Sequence, residues 1–247
     1  MSKEVDIHKR LILVAFGAII GSLLFFILSI LNMHLYPGSF HVGSSVFPSD
    51  RYSLKYNNLS DMGMLYTFTG EPNFLSAALF AFTLTLTGTS FLLYVRYFPH
   101  IFNRDSKSYK SARTGSMIGI VSSAAFIGIG WTPWDVLVIP HMIFVLIGFL
   151  LTIVFNIFFA IAIFQDKNYP NGFAFTLIFY DLLIITYIMA LILGPSYLSI
   201  KGRIVESLGQ KIVIYTQMVL LILNAMGFLW VLKKKEKEDL ISSRFGK

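Results

Sequence analysis

Six long apolar stretches, each about 20 residues or more, alternate with polar segments along the chain. They run over Leu11–Leu35, Asn73–Tyr97, Ala112–Trp131, His141–Phe164, Phe173–Leu193 and Lys211–Leu232. The Phe-rich and β-branched runs would favour strands in water. A stretch long enough to cross hydrocarbon must instead satisfy its backbone internally, so each is predicted to be a helix. The pattern predicts an all-α, polytopic integral membrane protein: a single six-helix domain spanning 1–247, with a connecting loop at 36–72 and a tail at 233–247.

Composition agrees. Of 247 residues, 55% are hydrophobic and only 13% charged, against roughly 25% in soluble domains. Mean hydropathy is +0.70. This excludes a disordered regulator, a coiled coil and an ordinary soluble enzyme. The 24 phenylalanines are more than a water-exposed surface carries safely. The first stretch follows Lys9 and Arg10, as a signal peptide would, but it outruns the usual 7–15-residue signal core and is read as an uncleaved helix.

The net charge of +7 suggests nucleic-acid binding only until its placement is considered. Fifteen Lys and Arg fall on the side that holds the termini and the second and fourth connections, and five on the other. That asymmetry predicts cytoplasmic termini and a cell-membrane location, with no nucleic-acid partner. The first connection, outside by this rule, is long and rich in Gly, Ser and Tyr. Pieces such as Phe40–Val42 and Tyr52–Tyr56 predict a partly ordered cap over the bundle mouth. No internal repeat is evident. The run Lys233–Asp239 is a stop-transfer flank, attracted at most to anionic headgroups.

Three polar groups fall on the outer side. Asn58-Leu59-Ser60-Asp61-Met62-Gly63 precedes helix two, which opens at Pro72-Asn73, with Pro72 suited to the first helical position. Trp131-Thr132-Pro133-Trp134-Asp135 follows helix three, ahead of His141. Gly202-Arg203-Ile204-Val205-Glu206-Ser207 precedes helix six. Ser60, Asp61, Asn73, Trp134, Asp135, His141 and Glu206 are therefore candidates for one ligand site. Each also has a structural reading. Thr132-x-x-Asp135 has the form of a capping box. Trp131 and Trp134 suit an interfacial aromatic belt. Asn58-Leu59-Ser60 is a glycosylation sequon, and Ser60-Asp61 suits a turn. Arg203 with Glu206 has the spacing of an exposed ion pair.

Asp181 differs. It lies about 12 Å inside helix five at 1.5 Å per residue, where an acid is costly and a functional candidate by default. Asn156, Asn224, Tyr180 and Tyr187 are its candidate partners, and protonation is the structural alternative. Gly115-x-x-x-Gly119 and Gly17-x-x-x-Gly21 let helices approach closely, inside the bundle or at a homo-oligomer face. Thr83, Thr85, Thr87 and Thr89 are read as packing residues.

Catalytic templates fit poorly. The five histidines form no HxxxH or HExxH, no GxSxG or P-loop occurs, and there are no cysteines. No metal or cofactor is called for.

The Ser60-Asp61-x-Gly63 motif, the Pro72-Asn73 start, Gly130-Trp131-x-Pro133 leading to His141, and Gly202…Glu206 together resemble the DUF998 family of prokaryotic membrane proteins. More distantly they are similar to the eukaryotic damage-regulated autophagy modulator group. The chain departs from the family where Trp131-Thr132 and Ser207 stand. The resemblance covers roughly 11–232. It implies six helices and an outer polar face, with a link to lipid organisation or trafficking, and brings no reaction with it. The favoured reading is a non-enzymatic protein that binds or organises membrane lipid through that face. Two alternatives stand beside it: a lipid hydrolase using His141 with Asp61 and Asp135, and a small transporter with Asp181 on its pathway.

Overall fold

A computed structural model describes residues 2–196 and 198–245. Six helices account for most of it: α1 Ser2–Leu35, α2 Phe74–Tyr97, α3 Lys107–Gly130, α4 Val138–Phe164, α5 Gly172–Leu193 and α6 Ile200–Phe245. All six contain windows long and apolar enough to cross a membrane. The chain is thus a multi-pass, six-helix membrane protein, as the hydropathy pattern predicts.

Each helix packs on its neighbours in sequence, and α6 returns to α1, so the bundle closes into a ring. Most helices turn small or aromatic residues inward and leave Leu, Ile and Phe exposed, which suits a lipid solvent. The α3–α4 seam is the most extensive. A Cβ on Gly115 would lie 2.7 Å from the Phe159 ring, and one on Gly119 3.3 Å from Phe155. This glycine pair therefore serves packing inside the bundle, and Gly115→Ala is expected to cost at least about 1 kcal/mol, read by unfolding in detergent. Gly17 meets nothing within 4 Å, whereas Gly21 abuts Ser90. Thr83 and Thr85 donate to carbonyls one turn back, at Leu79 and Ala81, both at 2.7 Å.

The end carrying the termini is closed by aromatic rings. Phe98 stacks on Phe159 at 4.2 Å, with Phe228 and Tyr169 alongside. The opposite end is covered by the α1–α2 connection, called the cap below. Phe40–Val42 and Ser45–Phe47 form a two-stranded hairpin turning at Gly43, whose φ is +59°. Phe40 stacks between Phe47 and Tyr56. Tyr52–Tyr56, the other predicted extended piece, forms turns and no strand.

Several starts differ from the sequence reading. Helix α1 opens at Ser2, nine residues before Leu11, and α3 at Lys107, five before Ala112. Helix α2 opens at Phe74 with Asn73 as its N-cap, and Pro72 instead forms an isolated bridge with Tyr66. Helix α6 begins at Ile200, eleven residues before Lys211, so Gly202–Ser207 is its first two turns. Polar composition made that segment read as a loop. Its side chains are paired with the cap, which removes the objection to a polar helical segment there.

Candidate functional site

The cap is fastened to one stripe of α6. Arg203, Glu206, Ser207, Gln210 and Lys211 follow the i, i+3, i+4, i+7, i+8 spacing of a single helix face. Arg203 Nη2 donates to Asp61 Oδ2 at 2.9 Å, Nη1 to Glu206 Oε2 at 3.2 Å, and Nε to the Tyr56 carbonyl at 2.6 Å. Glu206 Oε1 accepts from Asn58 Nδ2 at 2.8 Å, and Gln210 Oε1 accepts from the Leu59 amide at 2.7 Å. Ser207 Oγ donates to the Asn57 carbonyl at 2.8 Å, and Lys211 Nζ donates to that same carbonyl.

Asp61 lies in the short 3-10 turn Leu59–Gly63 and is fully buried. Its Oδ2 also accepts from Asn57 Nδ2 and the Asn58 amide, each at 2.9 Å. Burial pushes its carboxyl above the ordinary value, and the Arg203 guanidinium, Asn57 and the Asn58 amide pull it back. Burial likewise raises the nearby Tyr36 and Tyr52 hydroxyls, which stay protonated. The Arg203 side chain is 2% exposed and that of Glu206 29%, so the pair expected to be exposed has its guanidinium buried and its carboxylate half-buried. Asn58 is buried and bonded to Glu206, which withdraws the sequon from solvent.

The remaining candidates divide. Asn73 Nδ2 donates to the Met62 and Met64 carbonyls, which ties the 3-10 turn to the start of α2. Asp135 caps no helix: α4 opens at Leu137–Val138, three residues on. Its carboxylate accepts from the Leu65 and Tyr66 amides at 3.0 Å, binding the α3–α4 connection to the cap. His141 Nδ1 lies 2.7 Å from the Thr132 carbonyl. A carbonyl only accepts, so Nδ1 carries the proton and Nε2 of the neutral ring is an acceptor.

Ser60, Trp134, His141 and Glu206 converge on a cavity of about 390 Å³. Its polar end also includes His41, Asn58, Arg203 and Gln210. Its long wall is apolar, with Met142, Leu146 and Leu150 from α4 facing Ile184, Ile188 and Leu191 from α5. The two helices touch at the terminal end, Phe164 against Phe175, and at mid-height, where Asn156 meets Asp181. Towards the cap the cavity lies between them. Met142, Leu146, Leu150 and Leu191 are also 44–59% exposed, so the cleft opens sideways onto the bundle surface. Ser60, His141 and Gln210 also border a narrower cavity of about 80 Å³ inside the ring.

Asp181 is separate from this cleft. It is 6% exposed, and its Oδ1 accepts from Asn156 Nδ2 at 2.7 Å, as its depth suggested. Asn224 bonds Thr176 instead, and Tyr187 donates to the Glu206 carbonyl. Among the described residues, Asp181 Oδ2 has no partner. Among the described residues, no group of three or more His, Asp or Glu is placed to hold a metal ion. The sequence pass missed Arg203, Gln210 and Lys211 as a joint anchor. Their helical spacing with Glu206 and Ser207 was the available signal.

No protein-family model, no curated protein and no solved structure matches this chain.

Proposed function

We propose that this protein binds membrane lipid in the cleft between the cap-end halves of α4, α5 and α6, and carries out no chemistry on it. One observation carries the reading. A cavity of about 390 Å³ has a polar end and a long apolar wall, and it opens sideways where lipid would surround the bundle. That is the shape of an amphiphile: head under the cap, chain along α4 and α5. Asp61 Oδ2 and the Asp135 carboxylate are bound to protein donors, and neither residue lines the cleft that His141 borders, which disfavours the hydrolase alternative. The resemblance to six-helix families linked with lipid organisation points the same way.

The cap faces outside and both termini are cytoplasmic in this proposal, in the cell membrane, supported by fifteen Lys and Arg against five. Reporter fusions at Lys247 and within Gly43–Leu59 are expected to report opposite sides. The same side for both would reverse the account.

The lipid reading is tested by mass spectrometry of lipid retained through purification. Leu146→Trp would fill the cleft from an exposed position. Retained lipid is expected to drop severalfold with unfolding unchanged. Equal retention by wild type and variant would overturn the reading.

A transport reading has one observation of its own. A cavity of about 40 Å³ in the bundle middle is lined by Asn156, Gln217 and Asn224 with the unpartnered hydroxyls of Tyr94 and Tyr180. Proteoliposome flux abolished by Asp181→Asn would put transport first.

A further inference from the structure

The cleft occupies one end of the bundle. Its α4 wall runs from Val138 to Leu150, about 18 Å at 1.5 Å per residue. One leaflet of a bilayer contributes about 15 Å of hydrocarbon. The cleft is therefore about one leaflet deep, on the cap side. Beyond it the α4–α5 seam is closed, by Asn156 against Asp181 at 2.7 Å and by Phe164 against Phe175 at 5.4 Å between ring centres. Lipid of the opposite leaflet meets packed side chains there.

The cap end of the cleft is crossed by the hairpin. His41 lines the cleft, and its ring lies 6.3 Å from that of Trp134, in the connection that leads into α4. Two residues on, a Cβ at Gly43 would lie 3.0 Å from the Leu198 carbonyl, in the connection that leaves α5. The hairpin thus reaches from one rim to the other. Its root is tied down: Asn57 Nδ2 donates to the Ser39 carbonyl at 2.8 Å, and the Phe68 amide donates to Ser39 Oγ at 3.0 Å. Asn57 is held in turn by Ser207 and Lys211 of α6. The open side is the apolar one, where Met142, Leu146, Leu150 and Leu191 are exposed. A chain entering past the cap would cross water first, which the hydrophobic effect opposes. A chain sliding in between α4 and α5 never leaves hydrocarbon.

We infer that the cleft takes its lipid sideways, from the cap-side leaflet alone, beneath a hairpin that stays in place. This rests on the lipid reading above and names the pool from which the ligand comes.

The test uses the full chain with a peptide tag after Lys247, reconstituted in phosphatidylglycerol vesicles. Vesicles with the tag outward are separated by affinity from those with it inward. Phosphatidylcholine carrying a diazirine in its acyl chain is delivered to the outer leaflet by cyclodextrin exchange, and the vesicles are irradiated before it redistributes. Cross-linked residues are read by mass spectrometry. Ile184, 1% exposed, and the half-buried Tyr187 line the cleft, so label there reports the cleft rather than the surrounding bilayer. With the tag inward, the cap-side leaflet is the outer one. Label at Ile184 and Tyr187 is then expected to be severalfold above that with the tag outward. Equal label, or more with the tag outward, would overturn the inference and leave lipid binding standing. Label at neither residue in either set of vesicles, with the exposed Phe179 labelled, would overturn both.

A second arm fixes the hairpin. The chain has no cysteine, so Ser44→Cys with Leu198→Cys, joined by a short bis-maleimide, pins the hairpin tip to the α5–α6 connection. Label from the cap-side leaflet is expected to be unchanged by pinning. Its loss, relative to the same protein before cross-linking, would show that the hairpin must lift and would overturn sideways entry.

Discussion

Arg203→Met is expected to destabilise the protein by about 3–5 kcal/mol, the largest effect of any single polar substitution in it. The substitution strands two carboxylates. Asp61 is fully buried and loses the cation 2.9 Å away, and Glu206 loses its partner at 3.2 Å. Asp61 would then take up a proton to escape the uncompensated charge, which limits the cost. The Tyr56 carbonyl would lose its donor too. A second change identifies the cause. Asp61→Asn keeps an acceptor for the Asn57 side chain and the Asn58 amide but carries no charge. The double variant is therefore expected to recover more than half of the loss. Unfolding in detergent measures all three proteins. A loss below about 1 kcal/mol for Arg203→Met would show that the pair contributes little beyond an exposed one.

The second large effect is at Asp181. Asp181→Leu would leave Asn156 Nδ2 without an acceptor in the bundle interior, at an expected cost of about 1–3 kcal/mol. Asp181→Asn can still accept from Asn156 through its side-chain oxygen, and it adds a donor of its own. It is expected to unfold within about 1 kcal/mol of wild type. Among the described residues no Lys or Arg bonds Asp181, so the charge itself contributes no ion pair there to lose. Equal harm from the two variants would mean that the carboxylate is held ionised by something other than Asn156.

Most of the fold was legible because the bilayer imposes it. A span of hydrocarbon length has few ways to satisfy its backbone, so the number of helices follows from apolar length alone. The candidate site was legible only in part. Asp61 and Glu206 announced themselves as acids on one side of the chain, and His141 and Trp134 by position. What joins them did not. Asp61 meets Arg203 across 142 residues, and Asp135 meets the amides of Leu65 and Tyr66 across about 70. Local spacing carries no record of such contacts. The capping-box pattern at Thr132–Asp135 even pointed elsewhere, because the same carboxylate suits a helix start and a pair of distant amides equally well. Arg203 was misplaced for a related reason. Read as loop, 202–207 is polar and exposed. Read as helix continuing into 210 and 211, it is a stripe that buries its charges against the cap. Asp181 and Asn156 were easier, since depth in a bilayer leaves few polar partners to choose from.

The cleft itself could not be read from sequence. Its α4 and α5 walls are Met, Leu and Ile, the residues any lipid-facing helix would carry. Only the cavity between them, on the cap side of the Asn156–Asp181 contact, turns those side chains into a site. An electron cryomicroscopy structure of the protein in nanodiscs containing native lipid therefore tests the account most directly. The expected result is one elongated density between α4 and α5, its head at the polar end beside Ser60, His141 and Gln210 and its chain along Leu146 and Leu150. Helices α4 and α5 closed against each other along their whole length, with no ordered lipid between them, would contradict it.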